Sequence, residues 1–232
     1  MIGVIPARGG SKNMRAFSGA PLVEWVLRAA LGHEAGLDQV IVSSNDHSLL
    51  NFCAHLGGML HRPVTVLVRP EALSGVGVPD WPVFADVLGR CEHIEPTDII
   101  VHLRPTAPFV MPKEIEAVAT TLRDCHASTV KSVIEAEVHP YKTYFGDGHY
   151  LMPASLPAAN APRQYLPLAW AAAGYIDAMY GWVIASGAME FGPILAWYAP
   201  AERVTQLDTE QQWGDAEELT RAHNWRPGAT GS

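Results

Sequence analysis

Lysine is scarce in this chain: it supplies 4 of the 16 basic residues, and Lys and Arg nowhere form a run. Acidic residues outnumber them at 24, leaving a formal net charge of −8. That balance excludes nucleic acid and an anionic membrane surface as partners, since both demand a basic patch. A small anion held by a few placed Arg side chains stays compatible. Cysteine is nearly absent too, with Cys53, Cys91 and Cys125 far apart and no CxxC. This spacing excludes a disulfide framework and a zinc site of cysteine type, so the thiols read as buried small hydrophobes in a reducing cytoplasm. No apolar run reaches the ~18 residues of a membrane span. Met1 leads into a strand-like segment rather than a basic region and signal core, so a soluble cytoplasmic protein is expected.

What is present is core material. Hydrophobic residues make up 48% of 232, enough for one large α/β domain, and there is neither an internal repeat nor a low-complexity linker. The expected domain is 1–226, followed by a polar tail at 227–232. Apolar runs at 2–5, 39–43, 64–68, 98–103 and 129–134 read as strands. Between them, Leu22, Val23, Val26, Leu27 and Ala30 have helical spacing, as do Leu49, Leu50, Cys53 and Ala54 after a capping Asp46, in a helix expected to stop at Gly57-Gly58. Segments 79–91 and 113–124 are helical, the latter with Ile115, Val118, Ala119 and Leu122 on one face.

Alternating strands and helices imply right-handed crossovers and a mainly parallel central sheet with helices on both faces. Ligands then sit at the carboxyl ends of the strands, in the loops that begin at Pro6, Ser44, Arg69 and Arg104. From Tyr141 the texture turns to Pro, Gly and Tyr, with a turn at Gly146-Asp147-Gly148. This reads as a small antiparallel insertion, about 139–180. Segments 175–184 and 194–198 are expected to return to the sheet as strands, and 210–223 is a closing helix.

The sharpest local signal is Ile5-Pro6-Ala7-Arg8-Gly9-Gly10-Ser11-Lys12 behind the first strand. Glycines there let backbone N–H groups of the loop approach an anion, and Arg8 and Lys12 add fixed charge, which suits the phosphates of a nucleotide. A tight turn is the plainer reading of the glycines alone.

This octapeptide resembles the opening motif of the CMP-sialic acid synthetase (acylneuraminate cytidylyltransferase) family. Further segments follow in that family's order. Ile41-Val-Ser-Ser-Asn-Asp46 is similar to its IVSTDD, Arg69-Pro-Glu-Ala-Leu73 to its RPxxL, and Leu103-Arg-Pro-Thr-Ala-Pro108 to its LQPTSP. His139-Pro-Tyr-Lys142, Pro162-Arg-Gln-Tyr-Leu-Pro167 and Asp208-Thr-Glu210 complete a likeness that spans nearly the whole chain.

The resemblance implies a Rossmann-like nucleotidyltransferase fold, a homodimer, and transfer of CMP from CTP to an anionic acceptor with Mg²⁺ and release of pyrophosphate. By position it assigns the loop Ala7, Arg8, Gly9, Gly10, Ser11 and Lys12 to the triphosphate, with Arg8 and Lys12 as the catalytic cations. Asn13 would reach the triphosphate or ribose, Arg69 the cytosine, and Asp208 a metal. Arg104, His139, Lys142 and Arg163 fall near the acceptor, and the insertion would serve dimerisation and acceptor binding. In each case a plainer role competes: Asp208 as a helix cap, His139 and His102 as packed histidines, Asp46 as a cap.

Departures from the family pattern carry their own information. A short insert usually found between the positions of Lys12 and Asn13 is missing, and Gln206 stands where the first Asp of a DxD usually is. Arg104 replaces the Gln of LQPTSP, and Ala172-Ala173-Gly174 replaces an Asn-Gly. More positive charge and less hydroxyl recognition suit a small, densely anionic acceptor, and the pattern resembles that of the phosphonoformate cytidylyltransferases. Sialic-acid-like sugar acids are the alternative acceptor, and a non-catalytic nucleotide-binding relative is the alternative of another class.

Overall fold

The computed structural model describes residues 1–10, 12–205 and 207–228. The first apolar run becomes β1 (Ile2–Pro6), followed by a minimal hairpin, β2 (Ala16–Phe17) and β3 (Ala20–Pro21), and by α1 (Leu22–Leu31). Two further units repeat the scheme: β4 (Gln39–Ser44) with α2 (His47–Met59), and β5 (Thr65–Val68) with α3 (Asp80–Arg90). Then come β6 (Ile99–Leu103), α4 (Pro112–Asp124) and β7 (Thr129–Glu135).

The insertion holds a hairpin, β8 (Tyr144–Gly146) and β9 (Leu151–Pro153), and a single turn of helix, α5 (Leu156–Ala159). The chain re-enters the sheet through β10 (Trp170–Ala172) and β11 (Ile176–Tyr180), passes α6 (Gly181–Ala185) and β12 (Ile194–Tyr198), and ends in α7 (Glu210–Ala222).

β5, β4, β1 and β6 run parallel in that spatial order, and β11 pairs antiparallel between β6 and β7. β10 continues along the β11 edge of β7, while β12 pairs parallel on its other edge. Helices cover both faces, as the alternation requires. Val26 and Leu27 of α1, Leu49 and Leu56 of α2, and Ile115 and Val118 of α4 pack on Ile5, Val42, Val101 and Leu103. The opposite face places Phe84 and Val87 of α3 and Val183 of α6 on Val4, Ile41, Ile100 and Met179. A smaller aromatic cluster of Phe17, Trp25, Phe109 and Trp213 docks α7 beside β2. Among the described residues no helix is long and apolar enough to cross a membrane.

Three expectations change. The segment 175–184 is not one strand: β11 ends at Tyr180, the Gly181 N–H makes a last rung to Asp98 O at 2.9 Å, and α6 begins there. A Cβ on Gly181 would lie 2.9 Å from Glu95 O, so only glycine lets the chain turn this close. The glycine pair does not end α2, which continues to Met59. A Cβ on Gly57 would meet Val64 Cγ2 at 2.7 Å, so this glycine serves helix-to-strand packing rather than termination. Finally, Cys53 and Cys91 are buried but Cys125 is exposed, because it follows the last turn of α4 at the surface.

Candidate functional site

Parallel pairing brings the carboxyl ends of β1, β4, β5 and β6 to one edge, and the loop after β1 is built against that edge. Ala7 N donates to Ser43 O at 2.9 Å, and Gly9 N donates to Asn45 Oδ1 at 2.8 Å. An added Cβ on Gly9 would sit 2.9 Å from that same oxygen and 3.0 Å from Asp46 Cβ. Gly10 adopts φ +64, the left-handed region that glycine enters without strain. Asp46 itself caps α2, with Oδ1 accepting from Ser48 N and Leu49 N. Asn13 is buried and donates from Nδ2 to Arg8 O at 3.0 Å, closing the loop on itself. Ser11 and Gln206 lie outside the described residues.

Arg69 begins the loop after β5 and is 6% exposed. Its Nε donates to Ser43 Oγ at 3.2 Å and its Nη2 to Ser43 O at 2.8 Å, so the guanidinium plane is held fast beneath the edge. Burial lowers its pKa, Asp80 and Asp86 oppose that, and the nearby positive charge of Arg8 adds to it. Arg8 and Arg69 therefore stand close enough to repel, an arrangement that an anion between them relieves.

Lys12 joins the loop to the far end of the chain. Its Nζ donates to Asp208 Oδ1 at 2.8 Å and to Leu207 O. Arg15 clamps Glu210 through both carboxylate oxygens, at 2.6 and 2.7 Å, and lies 4.1 Å over the Trp213 ring. The cap of α7 is Thr209, whose hydroxyl accepts from Gln212 N while Gln212 reaches back to Thr209 N. Asp208 is thus not the helix cap. It is an exposed carboxylate turned toward the glycine loop.

The described residues contain no cluster of three His, Cys, Asp or Glu side chains able to hold a metal. Asp208 alone fits Mg²⁺ in the manner of phosphate-transfer sites, where one or two carboxylates suffice and substrate phosphates complete the octahedron.

Arg104, at the end of β6, is only half free. Its Nη2 donates to Asp177 Oδ2 at 2.9 Å, so it does not present an open fork. Asp177 also takes Lys131 at 3.2 Å, and Lys131 reaches Glu190 at 2.5 Å. Burial works to raise the Asp177 pKa, but Arg104 and Lys131 outweigh it and hold the carboxyl below its ordinary range. His102, two residues earlier, is held neutral: burial and the charge of Arg104 push its pKa well below the usual value, against the pull of Asp177.

The remaining acceptor candidates bind backbone in and around the insertion. His139 accepts from Tyr141 N at Nδ1 and contacts Pro167 O through Nε2. Lys142 donates to Ala159 O and Ala161 O, and Arg163 donates to Ala136 O. Asp177 and Lys131 did not stand out in the sequence. The signal that marks them is a lone acid in Ile-Asp-Ala-Met and a lone base in Val-Lys-Ser-Val, opposite charges on adjoining buried strands.

Solved structures share this architecture, a mainly parallel sheet with a glycine loop at its carboxyl edge. CMP:2-keto-3-deoxy-manno-octonic acid synthetase complexed with CTP superposes with TM-score 0.65 at 16% identity, covering 95% of this chain and 98% of that one. The 4-diphosphocytidyl-2C-methyl-D-erythritol synthase of Anaerococcus prevotii DSM 20548 gives 0.64 at 10% identity, covering 95% and 97%.

Residues 2–143 match the family described as Cytidylyltransferase, and the chain belongs to that family of nucleotidyltransferases. Over 227 residues it is 28% identical to the N-acylneuraminate cytidylyltransferase B of Danio rerio, covering 93% of this chain and 50% of that protein. It is 29% identical over 128 residues to the 3-deoxy-manno-octulosonate cytidylyltransferase of Maricaulis maris (strain MCS10), covering 53% and 44%. The chain spans about half the length, or less, of these curated relatives.

Proposed function

We propose that this protein transfers CMP from CTP to a small anionic acceptor and releases pyrophosphate. The observation that carries the reading is the meeting of Arg8, the glycine pair, Lys12 and Arg69 at one sheet edge, with Asp208 brought to Lys12 from the other end of the chain. In-line attack on an α-phosphorus asks for neutralised charge and fixed position more than for covalent help. Arg8 and Lys12 clamp the triphosphate and stabilise the departing pyrophosphate, and the loop amide at Gly10 approaches its oxygens while Gly9, its N–H bonded to Asn45 Oδ1, holds the turn. Asn13 keeps the loop closed, and Arg69 supplies donors to the base. Mg²⁺ would be held by Asp208 and the phosphates, and when bound it neutralises charge on them.

For the acceptor we favour a phosphonate such as phosphonoformate. The support is Arg104 where a neutral amide is usual, and Ala173 where an Asn would meet hydroxyls. Lys142 and Arg163 stiffen the insertion on the acceptor side, with His139 fixing its first turn. The named relatives favour a second reading, a sugar acid of the sialic or octulosonic type. In the insertion, Tyr150, Leu151, Met152, Leu156, Tyr165 and Leu168 are all exposed, and so large an apolar surface supports a homodimer. We assign the protein to the cytoplasm.

The deciding experiment is pyrophosphate release from CTP with Mg²⁺ and a panel of phosphonates, sialic acid and octulosonic acid. Release with phosphonoformate alone sustains the preferred acceptor, and release with a sugar acid alone replaces it. Tight CTP binding with no release on any acceptor would favour a non-catalytic relative.

A further inference from the structure

Phe109 stands where the loop after β6 leads into α4, and it is held by both its ring and its carbonyl. The ring is buried in the cluster that also contains Leu207, Trp25 and Trp213, with the Trp225 ring 4.6 Å away. The carbonyl accepts from Tyr175 Oη at 2.8 Å. That same hydroxyl lies 2.7 Å from Glu114 Oε2, which also accepts from Met111 N at 2.9 Å. Arg203 Nη1 donates to the other oxygen, Glu114 Oε1, at 2.8 Å. A continuous chain of polar contacts thus runs from Phe109 through Tyr175 and Glu114 to Arg203. Leu207 and Asp208 follow shortly after Arg203, so the loop after β6 is tied twice to the segment carrying Asp208, once by the polar chain and once by the apolar cluster.

Stability alone does not account for the polar chain. Apolar side chains of similar volume often replace a buried ion pair with no loss, so the neighbouring aromatic cluster could anchor the loop without charges. Arg203 also keeps Nε buried with no hydrogen-bond partner, a cost that apolar packing would not carry. What directional bonds add is fixed geometry. A phenol has one proton to give, and here two oxygens compete for it, so Tyr175 holds the Phe109 carbonyl and the Glu114 carboxylate in one arrangement. Burial and the charge of Glu114 push the Tyr175 pKa up, so the hydroxyl keeps that proton. Its ring is fixed as well, lying parallel to Trp197 of β12 at 6.4 Å.

We infer that Tyr175, Glu114 and Arg203 are positioning residues, a bridge that makes the loop after β6 and the segment carrying Asp208 one rigid body. Their role in the reaction rests on the cytidylyl-transfer reading, under which the bridge aligns the acceptor side with the triphosphate side before CTP arrives. They act through Phe109 and Asp208 and not on the reacting atoms. Misplacing reacting groups by about 1 Å can cost on the order of a hundredfold in rate, so a bridge of this kind has a kinetic consequence.

The test is amide hydrogen exchange of the full chain without ligands, paired with pyrophosphate release by the same variants. Tyr175→Phe deletes only the hydroxyl, and Glu114→Gln only the charge. In each, the amides of Met111, Arg203 and Val204 should exchange together at least about fivefold faster, while those of β1 and β4 keep their rates. Turnover at saturating substrates should fall on the order of tenfold with CTP affinity within about twofold of the wild type. The double variant should be no slower than the worse single one, since both cut the same bridge. Arg203→Lys should keep more turnover than Arg203→Ala. Loosening confined to one of the two segments, losses that multiply in the double variant, or a lowered melting point with turnover intact would each overturn the inference. Should Tyr175→Phe fail to fold, Glu114→Gln and Arg203→Lys carry the same test. If the wild type releases no pyrophosphate with any acceptor, the proposed reaction falls instead, and the exchange rates alone decide whether the bridge exists.

Discussion

The Lys12 ammonium donates to Asp208 Oδ1 at 2.8 Å, joining residues 196 apart in sequence, and both groups face the loop that would hold the triphosphate. On the proposed reading, the Lys12 ammonium competes with Mg²⁺ for the carboxylate until phosphates take it up. Asp208→Asn should therefore raise the Mg²⁺ concentration for half-maximal pyrophosphate release, because the substituted amide is a weaker ligand. The check is a Mg²⁺ titration at saturating CTP. An unchanged titration would show that Asp208 is not a ligand.

Arg8→Ala should lower turnover about a hundredfold, through loss of a charge-assisted clamp on the departing pyrophosphate. Steady-state kcat at saturating CTP measures it. Wild-type turnover in that variant would remove the loop from the reaction.

Gly9→Ala should weaken CTP binding by about tenfold with little loss of stability. The new methyl must displace Asn45 Oδ1, at 2.9 Å, and so disturb the hydrogen bond that positions the loop. Equilibrium titration with CTP, alongside thermal melting, separates the two effects. A lowered melting point with unchanged affinity would mean that Gly9 serves only the fold.

His102 carries a pH signature in stability. It is buried edge-on against Phe84, with Arg104, Asp177, Lys131 and Asp80 around it, and is held neutral well below the ordinary value of 6.5. A lowered folded pKa means that the unfolded chain takes up the proton first as pH falls. Its contribution is therefore complete above about pH 6.5 and declines below it, by at most about 1.4 kcal/mol per pH unit. Denaturant unfolding at pH 7.5, 6 and 5 should show a shallower decline in His102→Gln than in the wild type. Parallel curves would mean that His102 does not couple folding to protons.

Much of the architecture was legible in the sequence because its causes are local. Period-2 and helical apolar spacing, the Asp46 cap and the glycine turn after Ile5 each act within a few residues. The misread places are those where packing against another segment intervenes: Gly181 must be small because Glu95 and Pro96 crowd it, and Gly57 because Val64 packs on it. The candidate site divides the same way. Arg8, Gly9, Gly10 and Arg69 could be placed from strand ends alone. The role of Arg104 could not, because its charge is half consumed by Asp177, a residue that reaches it only by antiparallel pairing of β11 with β6.

By itself, then, the sequence determined the order of elements and the place of the glycine- and cation-bearing loop behind the first strand, consequences of patterning and short-range sterics. Only the tertiary structure decided that Thr209 rather than Asp208 caps α7, leaving Asp208 for Lys12, and that Arg104 is paired with Asp177. The physical reason is that partners of a charge are chosen by distance in space. Strand pairing and helix docking bring together groups that lie tens to hundreds of residues apart in the chain.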